Sequence, residues 1–366
     1  MKDNTFSPSF GNRPSYLVGR DEVIENFENN LASRPGAKGR SLIFLGQRGM
    51  GKTVLLWELA DRAREQGFVV ASPTVVSESM LDRVVEKIQE DGERVLCEKK
   101  SQITGASIGG LGFTVGLQFK KEINETKTPQ YKLTQLARAL AKKDRGLLIL
   151  VDEVQANSES LKQLIIQYQE MQSEGLDVAL AMAGLPACVS SVLNDKVLTF
   201  LNRSEKVELG PLKISDICNY FKLAFESSGL KVSATQCKRA AEATYGSPYL
   251  MQLIGHNLTS SETKTCTDEM LEQSIALANE DFKNDVCKTT LAPLSDKDIA
   301  FLTAMSEDES TSNISDIASR LNVKSDYAQK YKKRLLNAGV IEVASRGSVR
   351  FAVPLLREFL IENREC

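Results

Sequence analysis

Apolar residues fall along this chain in three successive textures. Between Ser41 and Gly210, short strand-like runs alternate with longer stretches of helical spacing. The runs are Ser41–Leu45, Gly67–Ser72, Leu147–Val151, Leu176–Gly184 and Glu205–Gly210. Leu147–Val151 is apolar on both faces, which suits the centre of a parallel sheet covered on either side. The intervening segments, among them a helix near Ser79 to Cys97 and others over Lys132–Lys143 and Ser158–Ser173, supply the covering helices. Strands alternating with helices predict an α/β fold with a parallel sheet. Ile103–Phe119 breaks the rhythm, alternating and rich in glycine. It reads as an inserted hairpin, either a plain surface feature or a contact for a partner or DNA.

The second texture runs from Ile214 to Lys283 and is helical throughout, with helices expected over Ile214–Ser228, Ala234–Thr244, Ser247–Ser260 and Asp268–Lys283. Ser247 followed by Pro248 is a good helix start, a capping hydroxyl and then a proline that needs no hydrogen-bond partner. The third begins near Leu294. A helix over Leu294–Glu309 precedes "NISDIASRLNV", a short helix with Ile314, Ile317, Ala318 and Leu321 on one face. "SDYAQKYKKRLLNAG" follows, with Ser325 as its expected cap and Gly339 as its stop. "VIEVA" and "RGSVRF" then read as two short strands joined by a tight turn. This is helix–turn–helix spacing, and the second helix of such a pair enters a major groove.

Chemistry enters at two places. "GQRGMGKT" matches GxxxxGK[ST], with Gly46, Gln47, Arg48, Gly49, Met50, Gly51, Lys52, Thr53 and Val54 between a strand and a helix. Glycines let the backbone wrap so that its N–H groups face phosphate oxygens, at the positive end of a helix. Lys52 is expected to reach the β- and γ-phosphates and Thr53 to ligate magnesium. "LILVDEVQ" then ends a buried strand in Asp152 and Glu153. Asp152 is expected to hold Mg2+ through water, and Glu153 to orient and activate the attacking water.

Composition narrows the rest. With 366 residues the chain exceeds one ordinary domain. Its seven cysteines include no CxxC pair and it has a single histidine, His256, so no histidine-rich metal site is expected. Unpatterned cysteines, no long apolar span and a polar start predict a cytoplasmic protein without a membrane segment. The net charge of −2 requires any nucleic-acid surface to come from clustering. Such clustering exists between Lys324 and Arg350, where seven basic residues face two acidic ones, whereas the whole stretch from Leu294 onward is balanced at eleven of each. Lys324, Tyr327 and Lys330 are expected to face a groove, with Arg346 and Arg350 on the backbone. The alternative is a packing module whose basic residues stabilise a helix end.

"YLVGRDEVIENFENNL", the phosphate loop, "LILVDEVQ", "FLNRSEKVELGPL" and "TYGSPYLMQLIG" occur in an order that resembles an AAA+ ATPase. The resemblance, which covers most of the chain from Tyr16, is to the branch of archaeal-type ATPases and origin-recognition initiators, near the STAND signalling ATPases. It implies ATP as the nucleotide and Val18, Gly19 and Arg20 against the adenine. It also implies Arg203 as an arginine finger reaching a neighbouring subunit of a homo-oligomer, a helical lid, and a C-terminal winged helix. The division it implies is a flexible 1–15, an ATPase core 16–212 with 103–119 inserted, a lid 213–290 and a winged helix 291–366. Two departures stand out: "AMAGLP" lacks the polar sensor-1 residue, and "GSPYL" lacks the sensor-2 arginine. They point to slow hydrolysis. The expected role is nucleotide-controlled DNA binding in replication or mobile-element maintenance. The alternatives are a STAND-like signalling switch or a protein-loading adaptor.

Overall fold

The computed structural model describes residues 6–8, 13–14, 16–75, 77–101, 128–155, 157–261 and 263–364. Five strands, β1 (Ser41–Gly46), β2 (Val69–Val75), β3 (Leu147–Asp152), β4 (Val178–Gly184) and β5 (Glu205–Leu209), form one parallel sheet in the order β2-β3-β4-β1-β5. Strand periodicity divides the core in two. Leu42, Phe44, Leu148 and Leu150 face α1 (Asp21–Ala32) and α2 (Lys52–Glu65). Ile43, Leu147, Ile149 and Val151 face the other way, toward α3 (Met80–Ser101), α4 (Pro129–Ala141), α5 (Glu159–Ser173) and α6 (Pro186–Leu193). Strands β3 and β4 are buried along their whole length, while the charged β5 alternates at the sheet edge. The α/β expectation therefore holds. The hairpin expected over Ile103–Phe119 lies outside the described residues.

Four helices follow: α7 (Ile214–Ser227), α8 (Ala234–Glu242), α9 (Pro248–Thr259) and α10 (Asp268–Phe282). Ser247 caps α9 as expected, its hydroxyl accepting from the Leu250 N–H. Helix α10 does not end where the sequence suggested. It passes through a π turn, Lys283–Cys287, into α11 (Lys288–Leu291).

The C-terminal part holds α12 (Asp296–Met305), β6 (Ser312–Asn313), α13 (Ile314–Arg320), α14 (Ser325–Asn337), β7 (Ile341–Ser345), β8 (Ser348–Phe351) and α15 (Leu356–Glu362). Its three strands pair antiparallel in the order β6-β8-β7, with Arg346 and Gly347 at the hairpin tip. Helices with a small antiparallel sheet are compatible with a winged helix. The stop of α14 is as expected: Gly339 takes a left-handed φ of 68°, and the N–H groups of Gly339 and Val340 return to the carbonyls of Leu336 and Leu335. The start differs. Lys324 holds the cap position and α14 has no side-chain cap, so Ser325 is the first helical residue instead.

Two further findings revise the expected layout. Residues 1–15 were to be flexible, yet Phe6 is only 4% exposed, packed against Tyr220, Phe221 and Phe225 in a slot left open by Gly255. The Ser7 N–H donates to Gln252 Oε1 at 2.9 Å. A single hydrophobic cluster also runs from Phe6 and α7 through Phe282 and Cys287 to Leu360, so the helical region and the C-terminal part share one core. Among the described residues no helix is long and apolar enough to cross a membrane.

Candidate nucleotide site

The phosphate loop leaves the end of β1 at Gly46, where a Cβ would lie 3.1 Å from the Leu209 carbonyl of the neighbouring strand. Gly49 and Gly51 turn the chain with φ of 79° and 77°, a region costly to any side chain, and α2 begins at Lys52. Met50 is buried beneath the loop. Lys52 Nζ donates to the carbonyls of Gly46 and Gln47 at 2.9 and 2.7 Å, folded back on its own loop. Burial lowers its pKa to about 8, against the opposing pull of Asp152, and Arg48 lowers it further.

Across the sheet, the Thr53 hydroxyl donates to Asp152 Oδ2 at 2.6 Å, and Asp152 Oδ1 accepts from the Glu153 N–H at 2.9 Å. Both carboxylate oxygens are thereby oriented at the strand end, with Asp152 itself 5% exposed. Glu153 is exposed and has a left-handed φ of 51°, and the Val154 N–H ties the turn to the Ala183 carbonyl of β4. No cluster of three metal-ligating side chains exists among the described residues. One carboxylate and one hydroxyl nonetheless fit a magnesium ion that takes its remaining ligands from water and substrate phosphates. A lysine whose hydrogen bonds among the described residues go to backbone carbonyls fits a polyphosphate equally well.

These groups open on a cavity of about 870 Å³, into which Val18, Arg20, Gly49, Val54 and the Asp152–Glu153 pair all project. Gly19 has a φ of 64°, and Arg20 donates to the Gly210 carbonyl at 2.9 Å, its pKa lowered by burial. The end of β4 presents no polar side chain: Ala181, Met182 and Ala183 are buried, and a Cβ on Gly184 would meet that of Val154 at 2.9 Å. Arg203 is exposed at the end of a 3-10 turn (Thr199–Arg203) beside β5 and does not line the cavity.

Several cavity residues escaped the sequence reading. Pro248, Tyr249 and Gln252 of α9 form its roof, with Tyr249 Cβ 3.7 Å from where a Gly49 Cβ would be. Tyr249 donates its hydroxyl to Asp285 Oδ2 at 2.6 Å, and burial followed by that bond raises its pKa. The Ser-Pro helix start hinted at Tyr249. Asp285 gave no signal, because nothing in its surroundings marks a π turn. Ser7 and Pro8 form another wall, and a polar N-terminus without periodicity gave no hint of that.

The basic cluster of the C-terminal part sorts differently from its residue count. Lys324, Lys330 and Arg346 are exposed, with no ion-pair partner among the described residues. Arg350 is paired with Glu342 across the hairpin, and Arg334 reaches the buried Asp298 at 2.6 Å. Tyr327 was expected to face a groove. Instead it packs against the shared core, its hydroxyl 3.0 Å from that of Tyr331, with Lys297 over its ring. An aromatic ring at that turn of the helix gains more from burial than from water. Nor does α14 stand clear of the ATPase sheet: it contacts α6, and a Cβ on Gly339 would lie 2.1 Å from Gln47 Oε1 in the phosphate loop.

Residues 16–180 match the family profile of the AAA ATPase domain, and residues 284–360 that of a domain of unknown function, DUF8462. No curated protein matches the chain in sequence. Among solved structures the chain is similar to a Walker-type ATPase of Pyrococcus abyssi. The two share 14% identity and a TM-score of 0.67, over 95% of this chain and 97% of that one. It is also similar to the ORC2 protein of Aeropyrum pernix in its ADPNP–ADP complexes, at 15% identity and a TM-score of 0.67, over 99% and 96%. At these identities the structural likeness carries the fold, and the profile match carries the chemistry. Residues 16–180 are a nucleotide-binding AAA ATPase domain.

Proposed function

We propose that this ATPase binds ATP with Mg2+, hydrolyses it slowly, and uses the nucleotide state to control DNA binding by a C-terminal winged helix. The reading keeps an ATPase core over 16–212, a lid over 213–290 and a winged helix over 291–366, and gives Arg203 to a neighbouring subunit. The observation that carries it is the contact of Gly339 and α14 with Gln47 and α6. The helix that would read DNA thus abuts the loop that would hold phosphate.

In this reading the backbone N–H groups from Gly49 to Lys52 and the Lys52 ammonium hold the phosphates. Thr53 and Asp152 would hold Mg2+, which would supply charge that neutralises the phosphates. Glu153, next to Asp152 and turned toward the cavity, orients and deprotonates water. Val18, Gly19 and Arg20 pack against the base. The apolar end of β4 and the absence of an arginine at the start of α9 leave the transition-state charge less well stabilised, which supports slow turnover. The exposed Lys324, Lys330 and Arg346 supply the charge for a phosphate backbone. Replication or mobile-element maintenance is the setting that fits.

The same contact also favours a second reading, in which the C-terminal part clamps the nucleotide as a signalling switch. Fluorescence anisotropy of a labelled duplex, titrated with ADPNP, ADP or no nucleotide across a salt series, separates the two. The first reading expects ADPNP to change DNA affinity and salt to weaken it steeply. Absence of DNA binding in every nucleotide state overturns it and leaves the switch.

A further inference from the structure

The lid of this ATPase has no arginine where phosphate contact is expected, but it has a tyrosine already in place. Tyr249 sits one residue after the proline that opens α9, directly over Gly49 of the phosphate loop. Its only hydroxyl proton is given to Asp285, and both residues line the cavity. Asp285 lies in the π turn Lys283–Cys287, and π turns place an extra residue in a helix where a small shift in register is cheap. That turn is also fastened to the C-terminal part. Lys283 pairs with Glu362 of α15, the Cys287 thiol donates to the Pro354 carbonyl, and Val286 and Cys287 are buried in the shared core. The matched unit 284–360 begins inside it.

Two electrostatic facts make this arrangement responsive. A phenol has one proton to donate, so Tyr249 serves either the carboxylate or a phosphate oxygen. A terminal phosphate entering the cavity also repels the Asp285 carboxylate, while Lys52, Arg48 and Arg20, the cations around it, attract the phosphate.

Building on the nucleotide reading above, we infer that Tyr249 is the phosphate-reading residue of this lid. Its hydroxyl donates to Asp285 when the terminal phosphate is absent and transfers to that phosphate when it is present. The released Asp285 loosens the π turn and, through it, the hold on residues 284–360.

The test is the ratio of ADP to ADPNP dissociation constants, measured by displacement of a fluorescent nucleotide. Tyr249→Phe keeps the ring on Phe282 and removes only the proton. It is expected to lower the preference for ADPNP about tenfold, as loss of one hydrogen bond to a charged group does. Asp285→Asn, at an exposed position, removes the repulsion and is expected to raise that preference severalfold. Hydrogen exchange over residues 283–291 supplies a readout independent of affinity: faster with ADPNP than with ADP in the wild type, and equally fast with both in Tyr249→Phe. An unchanged ratio in Tyr249→Phe, with normal wild-type binding, overturns this inference alone. Failure of the wild type to bind either nucleotide overturns the parent reading with it.

Discussion

The phosphate loop and helix α14 are both short basic segments bounded by glycine, and they behave in opposite ways once the chain folds. In the loop, the groups proposed to act are backbone N–H donors, one lysine and one threonine within a single turn. Folding can aim them but cannot reassign them. In α14 and its hairpin the groups proposed to act are side chains, and folding spends some on the protein itself. Arg334 goes to Asp298, Arg350 to Glu342, and Tyr327 packs half-buried against the core. A motif made of backbone therefore survives the passage to three dimensions better than a count of charges.

The sharpest way to break this comparison is at Lys52. If the loop acts as a unit, Lys52→Ala should lose about 3 kcal/mol of ADPNP affinity, more than a hundredfold, by titration calorimetry. It should leave the unfolding of the C-terminal part unchanged. A pH series refines the test. A bound phosphate raises the lysine pKa from its free value of about 8, so affinity is full below pH 8 and falls as pH rises above it. Lys52→Arg, charged throughout, should flatten that fall, and a wild-type profile flat from pH 7 to 10 would remove Lys52 from the contact.

Arg334 tests the opposite pole. Its partner Asp298 is 1% exposed, caps α12 at Ser295, and leaves Oδ1 without a hydrogen bond among the described residues. Removing the guanidinium strands a buried charge. Because Arg334 is itself half exposed, the expected loss for Arg334→Ala is about 2 kcal/mol in urea unfolding, below the cost of breaking a fully buried pair. Adding Asp298→Asn should recover part of it. A loss under about 0.5 kcal/mol would return Arg334 to the pool of surface charges.

Gly339 joins the two regions. Its left-handed φ disfavours any side chain by about 1 kcal/mol, and a new Cβ must also displace Gln47. Gly339→Ala should thus destabilise by about that amount and shift nucleotide affinity. Combined with Gln47→Ala, it should keep the backbone cost and lose the effect on nucleotide. If Gln47→Ala changes nothing in that background, the contact between the two regions is passive.

These residues also show where the sequence was informative. Periodicity, the glycine-rich loop and the strand-ending carboxylates revealed the strands, the phosphate loop, and Thr53 and Asp152 as members of two separate motifs, because each is marked by neighbours within one turn or one strand. That the two side chains bond each other is a long-range outcome. What stayed hidden depends on distant partners. Phe6 needs the missing side chain of Gly255 and three aromatic rings of α7, over two hundred residues away. The Tyr249–Asp285 bond needs a π turn, which no local propensity announces. The single core under the helical region and the C-terminal part needs the packing of helices whose amphipathic faces look alike whichever neighbour covers them.

The smallest expected effects fall on Lys324 and Lys330, and they decide what the remaining charge is for. Both side chains are exposed without an ion-pair partner among the described residues, so replacing either with alanine should change stability by less than about 0.5 kcal/mol. DNA affinity is a separate matter. Each lysine that neutralises a phosphate contributes about 0.9 to the slope of log affinity against log salt, so the double variant should flatten that slope by about 2. Arg350→Ala, by contrast, should barely alter the slope while its charge is held by Glu342. If Lys324 and Lys330 left the slope unchanged and Arg350 lowered it, the pairing seen across the hairpin would open on DNA. Free charges would then be no better a guide than the count they replaced.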